Sequence, residues 1–301
     1  GATDITGTFT STGTNLLTGN PLIASPDVDI TYILTLTAGA EITYSIVGTK
    51  NINLGSIVTT TNNDWTAVTG VYLKALHIDN GDYFGENVAI SGDYAIVGAT
   101  GEASNSINDP SNNDAATTGA AYIFKTTDSG ETWTQTAYLK ASNLEIFDYF
   151  GYSVAIDGDY VVVGAFLEDS NSIDNSGNHP SINHFNSGAA YIFKRDSGAE
   201  TWTEMKYLKA SNIDQNDRFG ASVAISGDYV IVGAYMEGSG STTDPDDNSA
   251  SGSFGGAGAA YIFKKDSGAE TWSQTAYLKA EFPHERHSFG ASVAMSGDYV
   301  I

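Results

Sequence analysis

Phe219-Gly-Ala-Ser-Val-Ala-Ile-Ser-Gly-Asp-Tyr-Val-Ile-Val-Gly-Ala234 is the stretch of sequence that decides the fold. Its first half consists of small and β-branched residues, which is typical of a strand. Gly227-Asp228 is a tight-turn signal. The second half is continuously apolar, as expected for a strand that is buried on both faces. The stretch therefore predicts a β-hairpin.

The same hairpin recurs along the chain at a nearly fixed period. Each copy begins with a Phe-Gly pair, and the steps between the Phe residues are 66, 69 and 70 residues. A Tyr-Leu-Lys-Ala segment precedes each pair. A fixed period of this kind predicts a modular array of β units. The Phe residues are Phe84, Phe150, Phe219 and Phe289, and the segments end at Ala75, Ala141, Ala210 and Ala280.

Each unit holds two further predicted strands after a long polar loop. In the third copy these are residues 258–264 and 271–280, separated by a turn at 266–270. Four antiparallel strands per unit are typical of a propeller blade. Small residues fill the first strand of every copy, whereas large rings fill the third and fourth, which favours a propeller over a stacked β-solenoid or separate sandwiches. The predicted fold class is all-β, with about four and a half four-stranded antiparallel blades.

The repeat also predicts the boundaries of the units. The divergent first blade begins with a hairpin at residues 30–37 and 41–47, and the last unit stops inside its second strand. The predicted units are 1–27 (a linker or loose N-terminal strand), 28–75 (the divergent blade), 76–141, 142–210 and 211–280 (full blades) and 281–301 (the first half of a further blade).

Composition argues against several classes of partner. The chain has 301 residues, 13 Lys plus Arg against 36 Asp plus Glu, and a formal net charge of −23. Such a charge disfavours nucleic acid and anionic membrane surfaces as partners. No apolar run reaches the roughly 18–20 residues of a membrane-spanning helix. Abundant Thr, Ser, Asn and Gly favour a secreted or cell-surface protein.

The repeated hairpin resembles the bacterial form of the FG-GAP repeat, which is similar to the propeller of the integrin α subunit. The resemblance covers residues 64–301, with matching segments at 84–99, 150–165, 219–234 and 289–301. It implies a seven-bladed extracellular propeller used in adhesion or recognition, often with bound calcium. The short hairpin here carries Ser-Gly-Asp or Asp-Gly-Asp instead of the Asp-x-Asp-x-Asp-Gly calcium loop of integrin repeats.

The long loops between the second and third strands are the predicted binding surface. Antiparallel connections alternate between the two ends of a sheet. These 2–3 loops therefore share one face with the 4–1 linkers, which join the fourth strand of one blade to the first strand of the next. Loops on a rigid scaffold often carry function. Their carboxylates and amides suit Ca²⁺, which takes six to eight oxygen ligands; the alternative is a solvated polar surface. The candidate calcium ligands are Asp109, Asn112, Asp114, Asp169, Asn171, Asp174, Asp244, Asp246 and Asp247.

Two further sets of aspartates are predicted to be structural. Asp128, Asp196 and Asp266 lie in 3–4 turns that resemble the Asp-box of sialidases, in which Asp accepts backbone hydrogen bonds, Gly takes a positive φ and Trp packs beneath. The second set lies two residues before Phe-Gly and is predicted to cap the turn into the first strand. Its members are Asp82, Asp148 and Asp217.

The predicted function is extracellular, non-enzymatic adhesion or recognition of a protein or glycan through the acidic 2–3 loops, with or without Ca²⁺. One alternative is a structural subunit of a filament or surface layer, with residues 4–11 acting as an added strand. Another is a propeller-type glycosidase whose catalytic residues lie outside this chain.

Overall fold

The computed structural model divides the chain into two compact units, Gly1–Gly70 and Val71–Ile301. For the first unit it describes the backbone of four strands. For the second it describes residues 71–77, 79–114, 117–170, 173, 186–239, 241–242, 256–284 and 286–301. Within these ranges no helix has the length and apolar character required to cross a bilayer.

The N-terminal unit contains one four-stranded sheet with the strand order β2-β1-β4-β3. The predicted hairpin is present as the antiparallel pair β3–β4. The candidate added strand is present as β1, which pairs antiparallel with β4 of the same unit. Residues 51–70 of the predicted divergent blade lie outside the described residues. The strands are β1 (Ile5–Ser11), β2 (Leu17–Thr18), β3 (Thr31–Leu36) and β4 (Glu41–Val47).

The second unit contains three four-stranded antiparallel sheets and one two-stranded sheet, each with its strands in sequence order. We call the three full sheets the first, second and third blades. The first blade is β5 (Phe84–Ser91), β6 (Tyr94–Ala99), β7 (Ala120–Lys125) and β8 (Thr134–Leu139). The second is β9 (Ser153–Asp157), β10 (Tyr160–Ala165), β11 (Ala189–Asp196) and β12 (Thr201–Leu208). The third is β13 (Phe219–Ser226), β14 (Tyr229–Ala234), β15 (Ala259–Lys265) and β16 (Trp272–Leu278), followed by the pair β17 (Met295–Ser296) and β18 (Tyr299–Val300). The described part of the chain is thus all-β, and its repeating unit is the four-stranded blade expected from the sequence.

The hydrophobic cores lie between neighbouring blades. Ile96 of the first blade and Val161 and Val163 of the second belong to one buried cluster. A second cluster joins the other face of β10, through Val162, to Val230 of the third blade. Because both faces of the second strand are covered, it is continuously apolar rather than alternating. This confirms the burial predicted for the second strand.

From the second blade onward, the Phe-Gly pair joins each blade to the preceding one, and we call this contact the Phe-Gly joint. Phe150 is fully buried and packs edge-on against Tyr191, with 5.3 Å between ring centroids. Its backbone N–H donates to the Thr118 carbonyl of the first blade at 3.1 Å. Gly151 has φ +92°, and a Cβ added there would lie 2.2 Å from the carbonyl oxygen of Ala120. Only glycine meets both the positive φ and the close approach.

Candidate functional site

The 2–3 loops and the 4–1 linkers form one surface, which we call the loop face. At each junction a linker N–H donates to the end of the preceding blade's 2–3 loop: Tyr149 to the Thr117 carbonyl at 3.3 Å and Arg218 to the Asn186 carbonyl at 3.1 Å. Arg286 repeats this contact with Gly256 at 3.2 Å. The loops of neighbouring blades are therefore tied together by the linkers between them.

A buried ion pair lies beneath each loop. In the second blade the Lys209 ammonium donates to the Glu168 carboxylate and to the Ser187 hydroxyl, the latter at 2.9 Å. The Glu168 side chain is fully buried. Burial lowers the pKa of Lys209, and the Glu168 carboxylate opposes that shift. A buried charge of this kind needs its partner, because neither group can be hydrated.

The same pair recurs as Lys140–Glu102 in the first blade and Lys279–Glu237 in the third. The Lys belongs to the Tyr-Leu-Lys-Ala segment, and the Glu stands three residues after each Gly-Ala pair. Sequence reasoning missed these pairs. The signal that could have found them is the recurrence of one Glu in register with the repeated Lys.

The aspartates before Phe-Gly lie near these pairs. Asp148 accepts the Glu145 backbone N–H at 3.0 Å, whereas Asp82 and Asp217 accept the equivalent N–H of Asp79 at 2.7 Å and of Asp214 at 3.1 Å. Burial raises the pKa of Asp148 well above its ordinary value, and the neighbouring Glu168 raises it further. Burial has the same effect on the pKa of Asp217.

Tyrosines complete this cluster in the second and third blades. Tyr207 donates to Glu168 at 3.0 Å, and Tyr191 donates to Asn143 at 2.7 Å. In the third blade Tyr261 bonds to Asn212 at 2.7 Å in the same way. The cluster holds the base of each loop against the fourth strand and the linker. We therefore assign it a structural role.

Three predicted calcium ligands in the first loop bond within their own loop. Asp109 accepts the Ser111 backbone N–H at 3.0 Å, and the Ser111 bonds lower the pKa of Asp109. The Asn112 amide donates to Asp114 at 3.1 Å. These bonds are those of short polar turns.

In the second loop, Asp169 accepts the Asn186 backbone N–H at 2.8 Å. Among the described residues no three acidic or His side chains come together in a group that could hold a metal, and calcium binding stays a prediction. The remaining candidates, Asn171, Asp174, Asp244, Asp246 and Asp247, lie outside the described residues.

The 3–4 turns lie at the opposite end of the blades. Asp128 accepts the Thr132 backbone N–H at 2.8 Å, and its bonds with Thr132 lower its pKa to about 2. In the longer turns Asp196 accepts the N–H of Gly198 and Asp266 that of Gly268, both at 2.8 Å.

The prediction that Gly takes the positive φ in these turns is right only for the shorter one. Gly130 has φ +93°, whereas in the longer turns the positive φ belongs to Glu200 at 55° and Glu270 at 52°. With the extra residue, the left-handed backbone conformation falls on this Glu instead of on the Gly. It also lets Glu200 accept the Tyr94 hydroxyl of the preceding blade at 2.7 Å.

A protein-family model matches the chain in three regions. The FG-GAP repeat matches residues 72–124, 133–193 and 202–263, which together make up more than half of the chain. Comparison with curated proteins found no match. Each matched region contains a Phe-Gly pair, a 2–3 loop and a buried Glu described above, and it ends in the third strand of a blade. The second and third regions begin with the fourth strand of the preceding blade. The chain therefore belongs to the family of FG-GAP repeat proteins.

Proposed function

We propose that this protein is an extracellular recognition module that binds a protein or a glycan through the loop face. The observation that carries the proposal is the joining of the 2–3 loops of successive blades into one surface by linker hydrogen bonds. A rigid scaffold that presents variable polar loops is a common arrangement for binding proteins. We expect no enzymatic activity from these residues.

Exposed apolar side chains on the loops support this proposal. Ile107 in the first loop is 50% exposed and Ile173 in the second is 63% exposed, although both loops are rich in polar residues. Buried apolar anchors within a polar rim carry much of the affinity of protein interfaces. The ion pairs beneath the loops keep the surface in place.

Binding of the purified chain to arrays of extracellular-matrix proteins and glycans tests the proposal. We expect retention on at least one array that falls when Ile107→Ser and Ile173→Ser are combined. The matched control is Asp93→Ser, at an exposed position in the 1–2 turn on the opposite face. Equal loss in the control, or no retention of the unaltered chain on any array, would contradict the proposal.

Calcium is a separate part of the proposal, supported by the oxygen-rich composition of the second and third loops. A thermal melt in EDTA and again in millimolar CaCl₂ tests it, because a ligand bound only by the folded state raises stability. An unchanged midpoint would remove calcium from the proposal and leave the loops as a direct contact surface.

A further inference from the structure

The loop face carries one arginine in an aromatic setting at the junction of the second and third blades. Arg218 belongs to the linker, and its guanidinium carbon lies 5.7 Å from the ring centroid of Phe166 and 5.4 Å from that of Tyr235. Phe166 and Tyr235 each follow the Gly-Ala pair of their blade. Contact with two rings at these distances restricts the guanidinium to one place.

Arg218 has no carboxylate partner among the described residues. Its Nη1 donates to the Tyr235 hydroxyl, and its Nε is buried without an acceptor. By contrast, Arg195 at the opposite face pairs with both Asp159 and Glu200. In a chain with 36 acidic residues and 13 basic ones, an arginine left without a carboxylate is unusual. The Nη donors that Tyr235 does not occupy have no acceptor among the described residues and can bind one from outside the chain.

Further tyrosines extend the surface beside Arg218. The Tyr152 and Phe166 rings lie 4.0 Å apart between centroids, and Tyr149 packs edge-on against Phe166 at 5.8 Å. Tyr149, Tyr152 and Tyr235 are all half-buried. They offer ring faces and hydroxyl groups around one cation.

The repeats differ at these positions although the scaffold around them repeats. A positive φ recurs at the residue before Phe-Gly in all four copies, so the backbone strain belongs to the joint and not to Arg218 alone. The side chains vary: the residues before Phe-Gly are Tyr83, Tyr149, Arg218 and Ser288, and those after Gly-Ala are Thr100, Phe166 and Tyr235. The scaffold therefore does not require an arginine at residue 218.

We propose that Arg218, Tyr235, Phe166, Tyr152 and Tyr149 form a binding site for a sugar that carries a carboxylate, within an otherwise neutral glycan. The planar guanidinium matches a carboxylate with two parallel hydrogen bonds. The tyrosine rings and hydroxyls match the faces and hydroxyl groups of the sugar. This inference rests on the proposed function and names the ligand class of the loop face.

The surrounding charge favours a glycan over an acidic protein surface. Glu86 lies near Tyr152 and accepts the Thr100 hydroxyl at 2.6 Å, and Asp169 lies in the adjoining loop. The whole chain carries a charge of −23. A partner with many carboxylates would be repelled by these groups, whereas one carboxylate on a neutral chain meets only the arginine.

Calorimetric titration of the full chain with an oligosaccharide of neutral sugars that contains a single uronic acid tests the site. The same oligosaccharide with its carboxylate reduced to an alcohol is the matched ligand. We expect binding of the first and loss of binding of the second. Arg218→Gln is expected to weaken binding by about tenfold or more, since a charge-assisted hydrogen bond is lost, and Arg218→Lys by less.

Arg195→Gln is the control, because it removes the same charge from the opposite face and should leave the affinity unchanged. Thermal melts of each variant establish that it is folded. Equal affinity for the reduced oligosaccharide, or an unchanged affinity of Arg218→Gln, would overturn the inference. So would Arg218-dependent binding of an acidic peptide in place of the glycan.

The two proposals can fail separately. If the oligosaccharide does not bind but the chain is still retained on an array through Ile107 and Ile173, the carboxylate site is refuted and the recognition function stands. If the oligosaccharide binds through Arg218 while the two Ile substitutions have no effect, the site is supported and the contact surface is smaller than proposed.

Discussion

The first and second blades are built from the same repeat but differ in their buried tyrosines. In the second blade the hydroxyls of Tyr191 and Tyr207 both have acceptors. In the first blade the Tyr122 hydroxyl, equivalent to that of Tyr191, is buried without a partner among the described residues, whereas Tyr138 interacts with Glu102 as Tyr207 does with Glu168. The repeat thus places the rings identically, whereas satisfaction of their hydroxyls depends on neighbours that vary from copy to copy.

One residue explains that difference. Asn143 follows the Ala141 of Tyr-Leu-Lys-Ala by two residues and accepts the Tyr191 hydroxyl. The residue at this place before the first blade is His77, which is exposed. A fold can therefore tolerate an incomplete polar cluster in one blade when the same cluster is complete in the next.

The largest expected effect comes from breaking the buried ion pair of the complete blade. Lys209→Met leaves Glu168 buried without its cation, and we expect a loss of about 3–5 kcal/mol in unfolding free energy, measured by chemical denaturation. The matched control is Lys194→Met, whose partner Glu270 is 44% exposed. That solvent-exposed pair should contribute far less to the unfolding free energy. Similar losses in both variants would refute the importance of burial.

The second test compares the two blades at their Phe-Gly pairs. Gly151 and Gly85 both have φ +92°, but a Cβ added at Gly151 meets the Ala120 carbonyl at 2.2 Å, whereas no atom of the described residues lies within 4 Å of a Cβ added at Gly85. Both Gly151→Ala and Gly85→Ala incur the cost of the positive φ. We expect Gly151→Ala to lose about 1–3 kcal/mol more, because a backbone must move. Equal denaturation midpoints for the two variants would contradict the claim that the close backbone approach at Gly151 requires glycine.

A third test attempts to complete the first blade. His77→Asn places an amide where the second blade has Asn143, and we expect a gain of about 1 kcal/mol if its oxygen reaches the Tyr122 hydroxyl. Thermal denaturation measures the gain. Combining it with Tyr122→Phe gives the control, since the gain should vanish when the hydroxyl is absent. A gain that persists in the double variant would assign it to another cause.

The last test concerns how the unfolding free energy changes with pH. Because burial raises the pKa of Asp148 in the folded state, its contribution to stability is fully present below the unfolded pKa, near 4, and is lost as the pH rises through the folded pKa. Asp148→Asn keeps an acceptor for the Glu145 N–H but cannot ionise. We expect its stability to fall less than that of the unaltered chain between pH 4 and pH 8. Parallel pH profiles from denaturation would contradict this assignment.

Much of the fold could be predicted from the sequence because its signals are local and repeated. Continuous apolar strands, Gly-Asp turns and the fixed period predict the blade without any knowledge of its neighbours. The calcium prediction rests on carboxylates and amides that alternate along the loops, and this pattern does not encode which partners Asp109, Asn112 and Asp114 take. In the structure all three bond within their own loop, and calcium binding stays a prediction.

The sequence by itself determined the all-β blade, its strand order and the residues of the Phe-Gly joint, since these depend on the alternation and size of neighbouring side chains. Only the tertiary structure decided which distant charges meet. Lys209 and Glu168 are 41 residues apart, and Arg218 lies between two aromatic rings from successive blades. Such contacts arise where loops converge over a packed sheet, and the spacing of residues along one strand does not encode them.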